Sequence, residues 1–196
     1  MKFTKIIALS LLTSIAIVEA ASPFLPFAQE AVAYGLIKHQ KSEKYYELNR
    51  TLLRQEAAGM ALVMAGVTYP PDYECRNLFA DINFHSPNYW ACRIVENAVD
   101  KQLISTENPK FFPGRPATRA EVLAMFMKGA GIKNIRDISK YSFDTGTTDW
   151  EKYVIATAKY NGIISTTNPF RPHENIKRGE AFVMGVNIMK IVGKSK

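Results

Sequence analysis

The sequence has few of the residues that build metal sites. It contains two cysteines and three histidines, and His39, His85 and His173 stand far apart along the chain. Two cysteines without clustered histidines are too few for a structural zinc site. We therefore expect no metal centre, and no cofactor is expected either.

Long apolar runs are equally scarce, and one that approaches membrane length occurs only at the start. Two lysines precede an apolar-rich stretch over residues 6–18, and small residues follow at 20–22. This is the layout of a secretory signal peptide. The stretch is shorter than the roughly 20 residues that a membrane-spanning helix needs, which disfavours the alternative of an uncleaved anchor. We predict a signal peptide at residues 1–21 and no stable membrane span after its removal.

Acidic residues are in the minority. The chain has 25 lysines and arginines against 18 aspartates and glutamates, a formal net charge of +7. A basic exported protein meets anionic partners such as wall polymers, acidic glycans or a lipid surface. The charges are dispersed, and no basic arm is interleaved with aromatic residues, so a nucleic-acid partner is not expected.

The two cysteines, Cys75 and Cys92, leave two alternatives open. An oxidising environment outside the cell would let them form a disulfide. Closing a loop of 17 residues would stabilise the fold by about 3 kcal/mol in the chain-entropy model. The alternative is that Cys92 is a buried apolar residue on a helix and Cys75 an exposed thiol. We favour the disulfide.

One short motif, Arg-x-Glu followed by an apolar run, occurs three times. The copies are Arg54–Glu56, Arg119–Glu121 and Arg178–Glu180. Such a recurrence indicates a repeat protein, in which each unit packs against its neighbours.

Longer registers support the repetition. Trp90 and most of residues 104–109 recur 60 positions later, at Trp150 and residues 164–169. One residue is then lost, so that Arg119 and Arg178 are 59 positions apart. The predicted units are residues 22–67, 78–131 and 142–192, and the first unit is degenerate.

Apolar spacing predicts two helices in each unit. Apolar residues within 89–103 recur at intervals of three and four, which is typical of an amphipathic helix. Thr118 and Glu121 form a Thr-x-x-Glu capping box at the start of a second helix. The other copies lack this threonine, and Thr51 and Asn175 are the candidate caps there. Because strand patterns are sparse, the predicted class is all-α with long ordered loops.

The two residues of the motif suggest different roles. A guanidinium group can bind a carboxylate through two parallel hydrogen bonds, and a helix start adds partial positive charge. The alternative for each arginine is an ion pair with the acid of a neighbouring unit. The candidate ligand-binding residues, ordered by their match to the complete motif, are Arg119, Arg178 and Arg54. The candidate helix-capping or inter-repeat residues are Thr118, Glu121, Glu56 and Glu180.

Two tryptophans, Trp90 and Trp150, each lead a helix. Aromatic faces can stack on sugar rings, so both are further candidates for ligand binding. Their apolar partners four residues later favour burial in the core instead.

The combined motifs resemble the S-layer homology (SLH) domain family. Its pattern is matched most closely by Phe111-x-Pro113 and by Thr118–Glu121, and Phe79–Asp81 and Phe143-Asp144 are similar to its lead-in. The resemblance extends from about Phe24 to Val192.

The resemblance implies a pseudo-threefold helical body of three helix-loop-helix repeats. It also implies an exported protein held non-covalently at the bacterial cell wall or cell surface. The implied partners are anionic secondary wall polysaccharides, some of them pyruvylated, or peptidoglycan-associated polymer. In this family the motif arginine lies in a groove between repeats and contacts the acidic sugar. Leu53 and Lys177 replace the usual threonine, so only the second copy has the motif intact.

Two other functions remain as alternatives. The first is a surface assembly or adaptor protein that docks another exported protein, its cargo, through its helical faces. The second is an enzyme acting on wall polymer. Glycoside hydrolysis needs two carboxylates that converge across one bond. The acids here recur at equivalent positions, which favours a non-catalytic module with several like sites.

Overall fold

The computed structural model describes residues 21–68 and 73–193. The predicted signal peptide falls almost entirely on residues outside these ranges. The described residues form six α-helices, two short 3₁₀ helices and no sheet, which confirms the all-α class. The α-helices are α1 (Leu25–Ala33), α2 (Arg54–Met64), α3 (Cys92–Asp100), α4 (Arg119–Gly129), α5 (Asp149–Tyr160) and α6 (Arg178–Ile191), and the 3₁₀ helices are Glu43–Tyr46 and Tyr89–Ala91.

Glutamate carboxylates cap the starts of α2, α4 and α6. Oε2 of Glu56, Glu121 and Glu180 accepts a hydrogen bond from the backbone N–H three residues earlier, at 2.8, 3.0 and 3.0 Å. Thr118 completes the box at α4, because its Oγ1 accepts from the N–H of Glu121 at 3.3 Å. Each motif glutamate therefore fixes where its helix begins.

The prediction that Thr51 and Asn175 cap α2 and α6 is wrong. The cap positions are Leu53 and Lys177. Thr51 and Asn175 instead lie in isolated antiparallel bridges, with Lys177 and Thr118 respectively. Leu53 and Lys177 have no side-chain hydrogen-bond acceptor, so the motif glutamate provides the side-chain cap at these two helices.

Close helix packing forms the core. Helix α2 packs against α3 and α4, and α1 packs against α6. A Cβ atom at Gly129 would lie 2.3 Å from the carbonyl oxygen of Ala61, so only glycine allows α4 to approach α2 this closely. Large apolar side chains from the helices and their loops fill the interior, including Leu62, Phe111, Phe126 and Phe182.

Cys75 and Cys92 are joined in a disulfide, and Cys92 is fully buried at the start of α3. The buried carboxylate of Glu96 holds the same segment, since it accepts hydrogen bonds from the backbone N–H groups of Arg76 and Leu78 at 2.9 and 3.1 Å. The disulfide and this carboxylate together fix the segment before the second unit onto α3.

A strained turn precedes each motif. Glu47, Phe112 and Arg171 have φ angles of 49°, 58° and 55°, in the left-handed region that side chains rarely adopt. Aspartates stabilise two of these turns. Asp81 accepts from the N–H of Phe112 at 2.7 Å, and Asp144 accepts from the N–H of Arg171 at 2.7 Å. The lead-in aspartates therefore shape the turn that leads to the arginine.

None of the helices in the described part of the chain combines the length and the apolar character needed to cross a bilayer.

Candidate functional site

The three motif arginines form a closed cycle of ion pairs. Each arginine donates from Nη1 to Oε1 of the glutamate in another motif. The arginine of the first motif binds the glutamate of the second, that of the second binds the glutamate of the third, and that of the third binds the glutamate of the first. The pairs are Arg54–Glu121 at 2.6 Å, Arg119–Glu180 at 2.7 Å and Arg178–Glu56 at 2.6 Å. We call these six residues the arginine ring.

Each arginine of the ring is also held by the loop of the unit that it reaches. Nε of Arg54, Arg119 and Arg178 donates to the carbonyl oxygens of Phe111, Phe170 and Tyr46, at 3.0, 2.8 and 2.9 Å. The guanidinium carbons of the first two lie 4.7 and 5.2 Å from the ring centres of Phe111 and Phe170. Such cation–π contacts strengthen when they are shielded from water.

A second cycle, made by the backbone, joins the three residues that lie two positions before the motif arginines. The N–H of Leu52 donates to Ile176, that of Ile176 to Ala117, and that of Ala117 to Leu52, at 2.9, 3.1 and 2.8 Å. All three residues are fully buried. These hydrogen bonds fix the three helix starts relative to one another. The pseudo-threefold packing of the complete helices remains a prediction.

The surroundings of the ring glutamates are unequal. Four residues before each motif arginine stand Arg50, Arg115 and Glu174. Arg50 binds Glu56 at 2.8 Å, and Arg115 binds Glu121 at 2.6 Å. Glu174 instead pairs with Arg171 at 3.2 Å. Two of the glutamates therefore have two guanidinium partners, whereas Glu180 has one among the described residues.

The second guanidinium partner also acts on the glutamate pKa. Burial acts to raise the pKa of Glu121, but hydrogen bonds from Arg115 and the Thr118 N–H, with the charge of Arg54, outweigh it and hold the pKa below its ordinary value. The pKa of Glu56 is lowered by the same balance, with burial opposed first by a hydrogen bond from Arg50. Both carboxylates are ionised at neutral pH.

An open pocket of about 250 Å³ lies beside Arg54. Its lining includes three cations, Arg54, Arg115 and Lys110, and one carboxylate, Glu121. Phe112, which is 44% exposed, forms part of the wall. We call this the Arg54 pocket. Its excess of positive charge suits an anionic group.

A second open pocket, of about 420 Å³, lies beside Arg178. It is bounded by α2, the start of α3 and the loop after α1. Arg178 and Lys38 line it together with Glu56, over a largely apolar floor. Trp90 and Gln55 complete its wall. We call this the Arg178 pocket. Arg119 lines neither of the two pockets.

The interpretation of the tryptophans as core residues is wrong. Trp90 and Trp150 are 54% and 48% exposed. Smaller residues behind them, Ala91 and Val154, are buried instead. Of the two tryptophans, Trp90 lines the Arg178 pocket, and Trp150 lies at the exposed start of α5.

Sequence reasoning missed four residues of the two pockets: Lys110, Arg115, Lys38 and Gln55. Aligning the copies would have shown that Arg115 corresponds to Arg50 and to Glu174, a change of charge. Lys110 and Lys38 carry no comparable signal in the sequence. Each lies in a loop of a different unit from the arginine that it approaches, Arg54 and Arg178 respectively, and only the fold brings them together.

Comparison with known proteins gives two findings. Residues 144–182 match the family model of the S-layer homology domain. The chain is also 26% identical over 160 residues to an amylopullulanase of Thermoanaerobacterium thermosulfurigenes. The match covers 78% of this chain but 8% of that protein, so the chain spans less than a tenth of its relative.

Proposed function

Because the chain carries an S-layer homology domain at residues 144–182, a non-catalytic module that serves cell-surface anchoring, we propose that it binds an anionic cell-wall glycan at the arginine-lined pockets. The ligand class is a secondary wall polysaccharide or a peptidoglycan-associated polymer with acidic groups, of which pyruvate ketals are one form. The exported protein associates with the cell surface.

The observation that carries the proposal is the charge of the Arg54 pocket. Three cations face one carboxylate there, and Glu121 cannot neutralise them all. Lys110 and Arg115 are exposed, so a ligand can reach them from solvent. Arg54 is held by Glu121 and the Phe111 carbonyl through Nη1 and Nε. Its remaining nitrogen, Nη2, has no hydrogen-bond partner among the described residues and is free to contact an acidic group.

This charge distribution favours an order of sites different from the motif match. The second motif is the most complete, but Arg119 faces Glu180 alone, and the net charge of that pair is zero. Arg54 and Arg178 each have a second cation on the same pocket wall. We therefore propose the Arg54 pocket as the site for the acidic group, the Arg178 pocket as a second contact with the same glycan and Arg119 mainly as a structural residue.

The test is retention of the purified secreted protein on wall sacculi. Lys110→Gln with Arg115→Gln should lower the affinity about tenfold or more, since charge-assisted contacts are lost. Lys133→Gln with Arg136→Gln removes the same charge from exposed positions outside both pockets and is the matched control. Sacculi stripped of secondary polymer should retain all three proteins equally weakly. Equal affinity of both double variants for intact walls would refute the proposal.

The state of the glutamates supports a non-catalytic role. A general acid in glycoside hydrolysis needs a raised pKa. Glu56 and Glu121 have a lowered pKa and are bound to arginines. Both therefore stay ionised as structural anions.

One observation favours docking of a second exported protein as an additional function. Trp150, Tyr153 and Tyr160 on α5 are 48%, 39% and 62% exposed. Their spacing places them on one face of the helix. A photo-crosslinking amino acid at position 160 should then give one stoichiometric product on whole cells, and the same group at the exposed position 133 should not. Equal labelling from both positions would count against docking.

A further inference from the structure

Gln55 is the middle residue of the first Arg-x-Glu motif. It is 5% exposed and lines the Arg178 pocket. Its Oε1 atom is buried, and it has no hydrogen-bond partner among the described residues. A buried polar atom without a partner is destabilising, and most such atoms in folded proteins are satisfied. Contacts among the described residues therefore do not explain why a polar atom is kept at this position.

The other two motifs have no polar group at this position. Ala120 and Gly179 stand there, and both are buried. A Cβ at Gly179 would lie 2.5 Å from the ring of Phe24, so this residue, immediately before α1, closes that position in the third copy. The first copy differs because Gln55 faces a pocket.

The rest of the pocket supplies complementary contacts. Trp90 presents an exposed apolar ring on the wall. Arg178 and Lys38 supply hydrogen-bond donors, and Glu56 is already bound to Arg178 and Arg50. Gln55 adds a hydrogen-bond acceptor, Oε1, that has no partner among the described residues. The terminal amide torsion of glutamine is broad, so Oε1 can turn toward a donor in the pocket.

The geometry points to a binding site for one uncharged sugar residue in the Arg178 pocket, with a hydroxyl or amide N–H donating to Oε1 of Gln55 and the sugar ring against Trp90. The volume of about 420 Å³ accommodates a ligand of this size. The sugar class rests on the proposed wall-glycan function. The two pockets would then recognise different parts of a polymer: an acidic group at Arg54 and a neutral residue at Gln55.

Tryptophan fluorescence gives a direct test. The chain has two tryptophans, so Trp150→Phe leaves Trp90 as the reporter. In this background, N-acetylglucosamine should change the emission in a saturable way. Gln55→Leu should weaken the sugar affinity about tenfold, the usual effect of one lost hydrogen bond to a ligand. It should also raise Tm, because an apolar isostere removes the unsatisfied oxygen.

The outcomes separate this site from the proposed anion site. Lys110→Gln with Arg115→Gln should leave the sugar response unchanged while it lowers retention on sacculi. A sugar response without retention would overturn the proposed function and leave this site standing. The absence of a saturable response to the sugar, a response to a glycan-free wall peptide alone, or equal sugar affinity in Gln55→Leu would each overturn the neutral-sugar site.

Discussion

Around Glu121, Arg54 and Arg115 supply two guanidinium groups, whereas around Glu180, Arg119 supplies one. The difference arises four residues before the motif arginine, where Arg115 in one copy corresponds to Glu174 in the next. The ion pair at the centre is the same in both places. Its surroundings leave an excess of positive charge at the first and none at the second.

This contrast separates two properties of the motif. A complete Thr-x-x-Glu box at Thr118–Glu121 provides a well-capped start for α4. The ability to bind an anionic ligand depends instead on how many positively charged side chains are left over after one has been balanced by the motif glutamate. A good match to a consensus therefore predicts local structure better than it predicts binding.

The largest expected effect comes from removing an arginine. Arg119→Ala should lower the free energy of unfolding by about 3 kcal/mol, because Glu180 loses its guanidinium partner and a hydrogen bond to Phe170 is lost. Arg54→Ala should cost about 2 kcal/mol, since Glu121 keeps Arg115. Urea denaturation measures both.

Arg171→Ala is the control for these variants. This side chain is 58% exposed and pairs with Glu174, so its removal should change stability by less than about 0.5 kcal/mol. An Arg54→Ala cost equal to or above that of Arg119→Ala would show that the second guanidinium does not compensate.

A smaller effect is expected from acid. The folded-state pKa of Glu56 and Glu121 lies below the ordinary 4.5, so the folded protein binds fewer protons than the unfolded chain in this range. Their stabilisation is complete above about pH 4.5 and is lost as the pH falls through the folded pKa. Thermal unfolding from pH 6 to pH 2 should show a falling Tm.

Arg115→Gln sharpens the acid experiment. It removes a hydrogen bond that lowers the pKa of Glu121, so the variant should lose less stability between neutral and acid pH than the parent protein does. An unchanged pH dependence would mean that groups outside the ring dominate acid unfolding.

The smallest expected effect comes from converting the weaker site. Glu174→Arg places an arginine six residues before Glu180, the same spacing as between Arg115 and Glu121. The new ion pair should stabilise the fold by about 0.5 kcal/mol. The variant should also increase retention on sacculi, because the Arg119 site becomes positive. Glu174→Gln is the control that removes the acid without adding the pair.

Much of the fold was predictable from local patterns. The capping box at Thr118 depends only on neighbouring residues, and α4 begins where this signal lies in the sequence. The exposure of Trp90 was not predictable in this way. Apolar spacing shows which residues can share a helix face, but the packing of other elements decides which face is covered.

The sequence by itself determined the helical class, the repetition of Arg-x-Glu and the capping role of its glutamate, since these depend on residues a few positions apart. Only the tertiary structure decided that each arginine binds the glutamate of another motif, over 61 to 122 positions. It also decided that Lys110 and Arg115 join Arg54, and that Gln55 faces a pocket. Coulomb attraction and hydrogen bonds act over a few ångströms in space, and only the folded chain sets those distances.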